Sequence, residues 1–250
     1  MFRNVLTLLF MALFSIEVLS AECVILLHGL ARTAHSMTEL ETKLIHEGYF
    51  VANVDYPSRK KKIQELSQIA VNDGLNQCRQ SKASPVNYVT HSLGGILVRQ
   101  FYKNHRTSNV KRVVMLGPPN NGSEVVDTLK HLPGYELING PAGMELGTSI
   151  TDVPKWLGPV NFELGVIAGT RSINLLLSTF LPNPDDGKVS VESAKVEGMC
   201  GFIMLPVSHP FLMTNDSVII EVISFLKSGV FVSAHSDSEL STCIKKRRDG

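Results

Sequence analysis

Short, almost wholly apolar runs alternate along this chain with longer stretches in which apolar residues recur every third or fourth position. The runs Cys23–Leu27, Phe50–Val54, Val86–Val89, Arg112–Leu116, Glu163–Gly169 and Gly201–Val207 read as strands. The stretches Ser36–Glu47, Ile63–Arg79, Leu93–His105, Glu124–Lys130 and Thr214–Lys227 read as helices. Strands so uniformly apolar belong inside a sheet covered on both sides. The alternation therefore predicts an α/β fold: a mainly parallel sheet of about six strands, helices on both faces, and right-handed crossovers. No internal repeat is present.

The first residues follow a different pattern. Met1–Asn4 is short and positive, Val5–Phe14 is nearly all apolar, and Val18–Ala21 supplies small residues suited to cleavage. The apolar core is too short for a comfortable membrane span. Residues 1–21 are thus expected to be a signal peptide, with residues 22–230 forming the catalytic domain and residues 231–250 a disordered polar tail. Glu22, standing between Ala21 and Cys23, spoils the arrangement of a lipid-modified cysteine. The mature protein is expected to be exported, either periplasmic or secreted.

The densest chemistry lies in VNYVTHSLGG, Val86–Gly95. It reads as an apolar strand, a sharp turn carrying Ser92, and a helix start, which is the layout of a nucleophile elbow. There the free amides and positive dipole end of a helix favour developing negative charge. Thr90 stands where the G-x-S-x-G pattern has its first glycine, while Gly94 keeps the second. Taken alone, S-x-G-G is as often a structural turn, so its neighbours decide.

In elbow folds the acid and the histidine follow the serine, each after a later strand. Of the eight histidines, His105, His131, His209 and His235 come after Ser92. His105 closes a solvated helix end, His235 lies in the polar tail, and His131 has no strand behind it. His209 directly follows the run GFIMLPV and is the candidate base. The loop after Glu163–Gly169 carries Asn183-Pro184-Asp185-Asp186-Gly187, where turn chemistry alone can account for an Asp-Gly pair. Asp186 is the preferred acid and Asp185 the neighbour that could be mistaken for it. Near the start of the mature chain, CVILL runs into His28-Gly29-Leu30. There the Leu30 amide is the candidate oxyanion donor together with that of Leu93, and His28 reads as an organiser of its loop.

HGLARTAHSM, VTHSLGG, VVMLGPPNNGSE, NPDDGKVSVESAK and LPVSHPFLMTN together resemble the bacterial lipases and esterases of the α/β-hydrolase superfamily, in that family's order and over nearly the whole mature chain. The resemblance implies that Ser92 is the nucleophile, Asp186 the acid, His209 the base, and the Leu30 and Leu93 amides the oxyanion hole. It implies a serine hydrolase acting on a small-molecule or lipid ester through an acyl-enzyme, without a cofactor. A thioesterase, amidase, polyester depolymerase or acyltransferase would use the same residues. A non-catalytic ligand-binding protein on this fold is the remaining alternative.

Residues 118–159 break the alternation, being rich in Gly, Pro and Asn with one short helical stretch. A long irregular segment on the serine side of a sheet is the natural source of a small lid and acyl pocket. Leu132, Tyr135, Met144 and Trp156 are candidate substrate-binding side chains, along with Leu137, Ile138, Leu146 and Leu157. Loop packing is the alternative for each.

Composition changes this picture little. A chain of 250 residues that is 44% hydrophobic suits one enzyme domain. A net charge of +1 gives no reason to expect nucleic acid. The basic runs Arg59–Lys62 and Lys245–Arg248 read as solvated faces or tails, with transient contact to an anionic lipid surface as the alternative. No protein partner is inferred. Spacing offers no zinc site, since no C-x-x-C or H-x-x-x-H pair occurs. Cys23, Cys78, Cys200 and Cys243 allow three disulfide pairings. Cys23–Cys78 is the pairing expected, because both would lie beside neighbouring core strands; buried thiols are the alternative.

Overall fold

The computed structural model describes residues 21–173 and 178–233. Residues 1–20 of the expected signal peptide and residues 234–250, with His235 and Cys243, lie outside them; Phe231, placed by the sequence reading in the tail, is instead buried against Phe225 with ring centroids 4.7 Å apart. Six strands form one parallel sheet: β1 (Cys23–Leu27), β2 (Phe50–Val54), β3 (Val86–His91), β4 (Val110–Leu116), β5 (Leu164–Gly169) and β6 (Gly201–Leu205), in the order β2-β1-β3-β4-β5-β6. The helices are α1 (Thr38–His46), α2 (Ile63–Gln80), α3 (Leu93–Tyr102), α4 (Glu124–Leu129), α5 (Tyr135–Met144), α6 (Val153–Trp156), α7 (Val191–Ala194) and α8 (Asp216–Ser228).

Side-chain alternation explains why the strands are apolar throughout. In β1, Cys23, Ile25 and Leu27 join one core with Leu66 and Ala70 of α2 and Ile96 and Leu97 of α3. Val24 and Leu26 point the opposite way, into a second core with Leu40 and Leu44 of α1 and Val218, Val222 and Phe225 of α8. Both faces are dry, as a parallel sheet requires. Cys23 and Cys78 form a disulfide joining β1 to α2, with Cα atoms 5.7 Å apart. A cross-link spanning 55 residues is worth about 2–5 kcal/mol. Cys200 is disulfide-bonded as well.

Element ends differ from the sequence reading for local reasons. β6 stops before Pro206, which has no N–H for the ladder. α8 begins at Asp216 because the Asn215 side chain accepts from the Val218 amide at 3.2 Å and caps it. The larger correction is in residues 118–159, which hold α4, α5 and α6 rather than one short helix. α5 is broken inside: Gly140 has φ 67° and ψ −178°, and Pro141 restarts the turn. Arg99 of α3 fastens the two ends of this segment. Its buried guanidinium donates to the Asn120 carbonyl at 2.8 Å, to Pro154 at 3.2 Å and to Gly158 at 2.8 Å. Burial among these carbonyls lowers the Arg99 pKa to about 10, which leaves it charged at neutral pH.

Candidate active site

β3 ends at His91, α3 starts at Leu93, and Ser92 between them has φ 52° and ψ −118°. A non-glycine residue held at positive φ needs surroundings that impose it. Two glycines provide the room. A Cβ on Gly94 would lie 2.5 Å from the Leu27 carbonyl oxygen, and one on Gly29 would lie 3.3 Å from the Ser92 Cβ. The Ser92 amide donates to the Leu116 carbonyl at 2.9 Å, tying the turn to β4. Thr90 is accommodated fully buried.

The strand ends bring the histidine and acid together. His209 Nδ1 lies 2.7 Å from Asp186 Oδ2, and the His209 amide donates to the Asp186 carbonyl at 3.0 Å. The other carboxylate oxygen of Asp186 accepts from the amides of Lys188 and Val189 at 3.0 and 2.8 Å. Asp185 is occupied differently: its oxygens take the Ser178 hydroxyl and the Gly187 amide at 2.5 and 2.7 Å. Gly117, at φ 53°, leaves space for the pair, since a Cβ there would lie 2.9 Å from Asp186 Oδ2 and 3.0 Å from His209 Nδ1.

Ser92, Asp186 and His209 line one cavity of about 670 Å³. Among the described residues the Ser92 hydroxyl has no hydrogen bond, and the Leu30 and Leu93 amides have no protein acceptor. Ligand-free sites commonly show such slack between nucleophile and base. His28 is fully buried and stacks on Tyr56 with centroids 4.0 Å apart. Its Nδ1 donates to the Gly29 carbonyl at 2.9 Å and its Nε2 accepts the Tyr56 amide at 3.3 Å, while the Tyr56 hydroxyl donates to the His28 carbonyl. These bonds brace the loop that presents Leu30. His105 is held by its own helix, stacked on Phe101, and His131 is exposed.

The apolar wall corrects the sequence reading. Tyr135 lines the cavity with Ile138 and Leu146, but Leu132, Leu137, Met144, Trp156 and Leu157 do not. Leu132 is 56% exposed on the surface. Met144 and Trp156 face a separate hollow beside Gln100 and Glu145, and Lys103 sits 3.8 Å above the Trp156 ring. Met144 lies nine residues after Tyr135, about 180° round a helix from it, and so on the opposite face. Val125, Val126 and Leu129 of α4 complete the wall instead; their helical spacing was the available signal. Among the described residues no group of His, Cys, Asp and Glu is arranged to hold a metal, and no helix is long and apolar enough to cross a membrane.

His91 was not singled out by the sequence. It is buried against His209, with ring centroids 4.7 Å apart, and its Nε2 donates to the His209 carbonyl at 3.1 Å. Burial, followed by the nearby His209, lowers its pKa well below the ordinary 6.5, and burial lowers that of His28 as well. An unfolded chain takes up these protons near pH 6.5 and the folded one does not. Stability from both histidines is therefore complete above that pH and declines as pH falls below it. The expected slope is up to about 1.4 kcal/mol per pH unit for each group. Urea midpoints compared at about pH 7.5 and about pH 5.5 check this, and His91→Gln should remove its share of the decline.

Residues 23–150, half of the chain, match the family model described as palmitoyl protein thioesterase. A search of curated protein sequences finds no match. Among solved structures, a Bacillus licheniformis lipase in its propeptide form superposes with a TM-score of 0.69 at 16% identity, over 87% of this chain and 52% of that one. Its mature form gives 0.66 at 17%, over 83% and 91%. A phospholipase from Legionella pneumophila gives 0.65 at 14%, over 92% and 63%. The chain thus spans about half the length of the first of these structures. At such identities the likeness is one of fold, and that fold is the α/β hydrolase.

Proposed function

Since the chain belongs to the palmitoyl protein thioesterase family, we propose that it is a serine hydrolase that cleaves carboxylic esters through a covalent acyl-enzyme. The observation that carries this reading is the 2.7 Å contact between His209 and Asp186 on the wall of the cavity that Ser92 also lines.

Asp186 holds the Nδ1 proton of His209, which leaves Nε2 free to take the proton of the Ser92 hydroxyl as Oγ attacks the acyl carbon. The carbonyl oxygen becomes an oxyanion between the Leu30 and Leu93 amides, each worth about 2.7–4 kcal/mol to the transition state. The start of α3 adds its positive end. His209 then hands its proton to the departing alcohol, and water repeats the sequence on the acyl-enzyme. Tyr135, Ile138, Val125 and Leu146 give the acyl chain an apolar wall.

The family match favours a second reading, an acyl thioester as substrate. A thiolate leaves with far less need of a proton than an alkoxide, because a thiol pKa is about 8.5. The same centre would accept it with less reliance on His209 as acid. A substrate panel separates the two: p-nitrophenyl esters of increasing chain length, matched acyl thioesters, and an anilide as control. Ester turnover equal to or above that of the matched thioester is expected, with the anilide inert. A strong thioester preference would move the assignment to the second reading. Absence of turnover on all three, with no fluorophosphonate label on Ser92, would leave a ligand-binding protein.

Export fits the same reading. The Cys23–Cys78 disulfide belongs to an oxidising compartment, and residues 1–21 have the pattern of a removable leader.

A further inference from the structure

Two surfaces meet at the mouth of the cavity. α5 presents Leu137 and Ile138 to solvent, 87% and 62% exposed, while Ile138 and Tyr135 of the same helix line the cavity. Single exposed aliphatic residues are ordinary. Here two consecutive ones stand on the helix that walls the site, with Ile173, 62% exposed, on the same cavity's rim.

The second surface is the basic run Arg59, Lys60, Lys61 and Lys62, which meets α5 at its internal break. A Cβ on Gly140 would lie 1.9 Å from the Arg59 carbonyl oxygen, so the two backbones are in contact. One residue past the run, the Ile63 amide donates to Glu145 at 2.8 Å, a second tie to the same segment. Arg59, Lys60 and Lys62 are exposed. Lys61 is paired with Glu65 at 2.8 Å. Against the three remaining cations, α5 itself offers one exposed acid, Glu136. Adjoining apolar and cationic surfaces of this kind match a membrane interface, where acyl chains lie beneath anionic headgroups.

We propose that α5 and the run Arg59–Lys62 form a docking surface for an anionic phospholipid bilayer. Leu137 and Ile138 enter the acyl boundary, and the cations meet the headgroup phosphates. Docked this way, the cavity opens onto the layer in which acyl chains reside.

The test is co-sedimentation of the chain without its expected leader, residues 22–250, with phosphatidylcholine vesicles and with vesicles containing about one third phosphatidylglycerol. Binding is expected only to the anionic vesicles and should weaken as salt rises. Lys60→Glu/Lys62→Glu should reduce it by about fivefold or more for each cation lost. Leu137→Asp should reduce it about tenfold. Turnover of a short soluble ester and the urea midpoint should stay unchanged in both variants. Equal binding to neutral and anionic vesicles, binding to neither, or variants that bind as well as the parent would overturn the proposal. So would a dimer in light scattering that Leu137→Asp dissolves, which would give this face to a second copy of the chain. Sedimentation needs no catalysis, so a chain that binds but hydrolyses nothing would sink the hydrolase reading and leave this surface standing.

Discussion

Ser92→Ala is expected to lower kcat for a short p-nitrophenyl ester by about 10⁴-fold or more, while the folded state keeps its stability. The size follows from the role: without Oγ no acyl-enzyme forms, and only oxyanion stabilisation and binding persist. The specificity of the loss follows from the structure. Among the described residues the hydroxyl has no hydrogen-bond partner, so its removal breaks none of the bonds described above. Alanine inherits the same strained backbone, and the amide bond to Leu116 does not involve the side chain. Turnover assays combined with urea unfolding check both halves. Retained hydrolysis in a clean preparation would move the nucleophile elsewhere.

Asp186→Asn is expected to cost a comparable amount, about 10⁴-fold in kcat, while Asp185→Asn costs less than about tenfold. The two neighbours differ only in what their oxygens touch. An asparagine at 186 would keep one oxygen for the amides of Lys188 and Val189 and turn its NH₂ toward His209 Nδ1. That nitrogen would then have to accept, placing the ring proton on Nε2, the nitrogen that the mechanism needs free to take the Ser92 proton. An asparagine at 185 still has an oxygen for the Gly187 amide and does not reach His209. Side-by-side kinetics of the two variants decide between the carboxylates, and greater damage at 185 would reverse the assignment.

The sequence disclosed the parts of this molecule that are written locally. Each strand is a contiguous apolar run, because both faces of a parallel sheet are dry, and the elbow serine lies between a strand and a helix that are each legible alone. The 118–159 segment resisted for an equally local reason. Gly140 and Pro141 look like a loop, yet they are the joint inside α5. Apolar content alone does not say which hollow a side chain faces, so Met144 and Trp156, which share a separate one, read from the sequence as acyl wall. His91 was hidden by distance: its partner is 118 positions away, and no periodicity reports a contact between two strand ends.

The Arg99 clamp restricts how a substrate can get in. Arg99 grips Asn120 at one end of the segment and Pro154 and Gly158 at the other, from the helix that begins at the nucleophile. The whole flap cannot swing about its base without stripping a buried cation of its carbonyls, which is costly. Opening is therefore confined to the stretch between those anchors, and the span of that stretch limits how bulky a head group can pass.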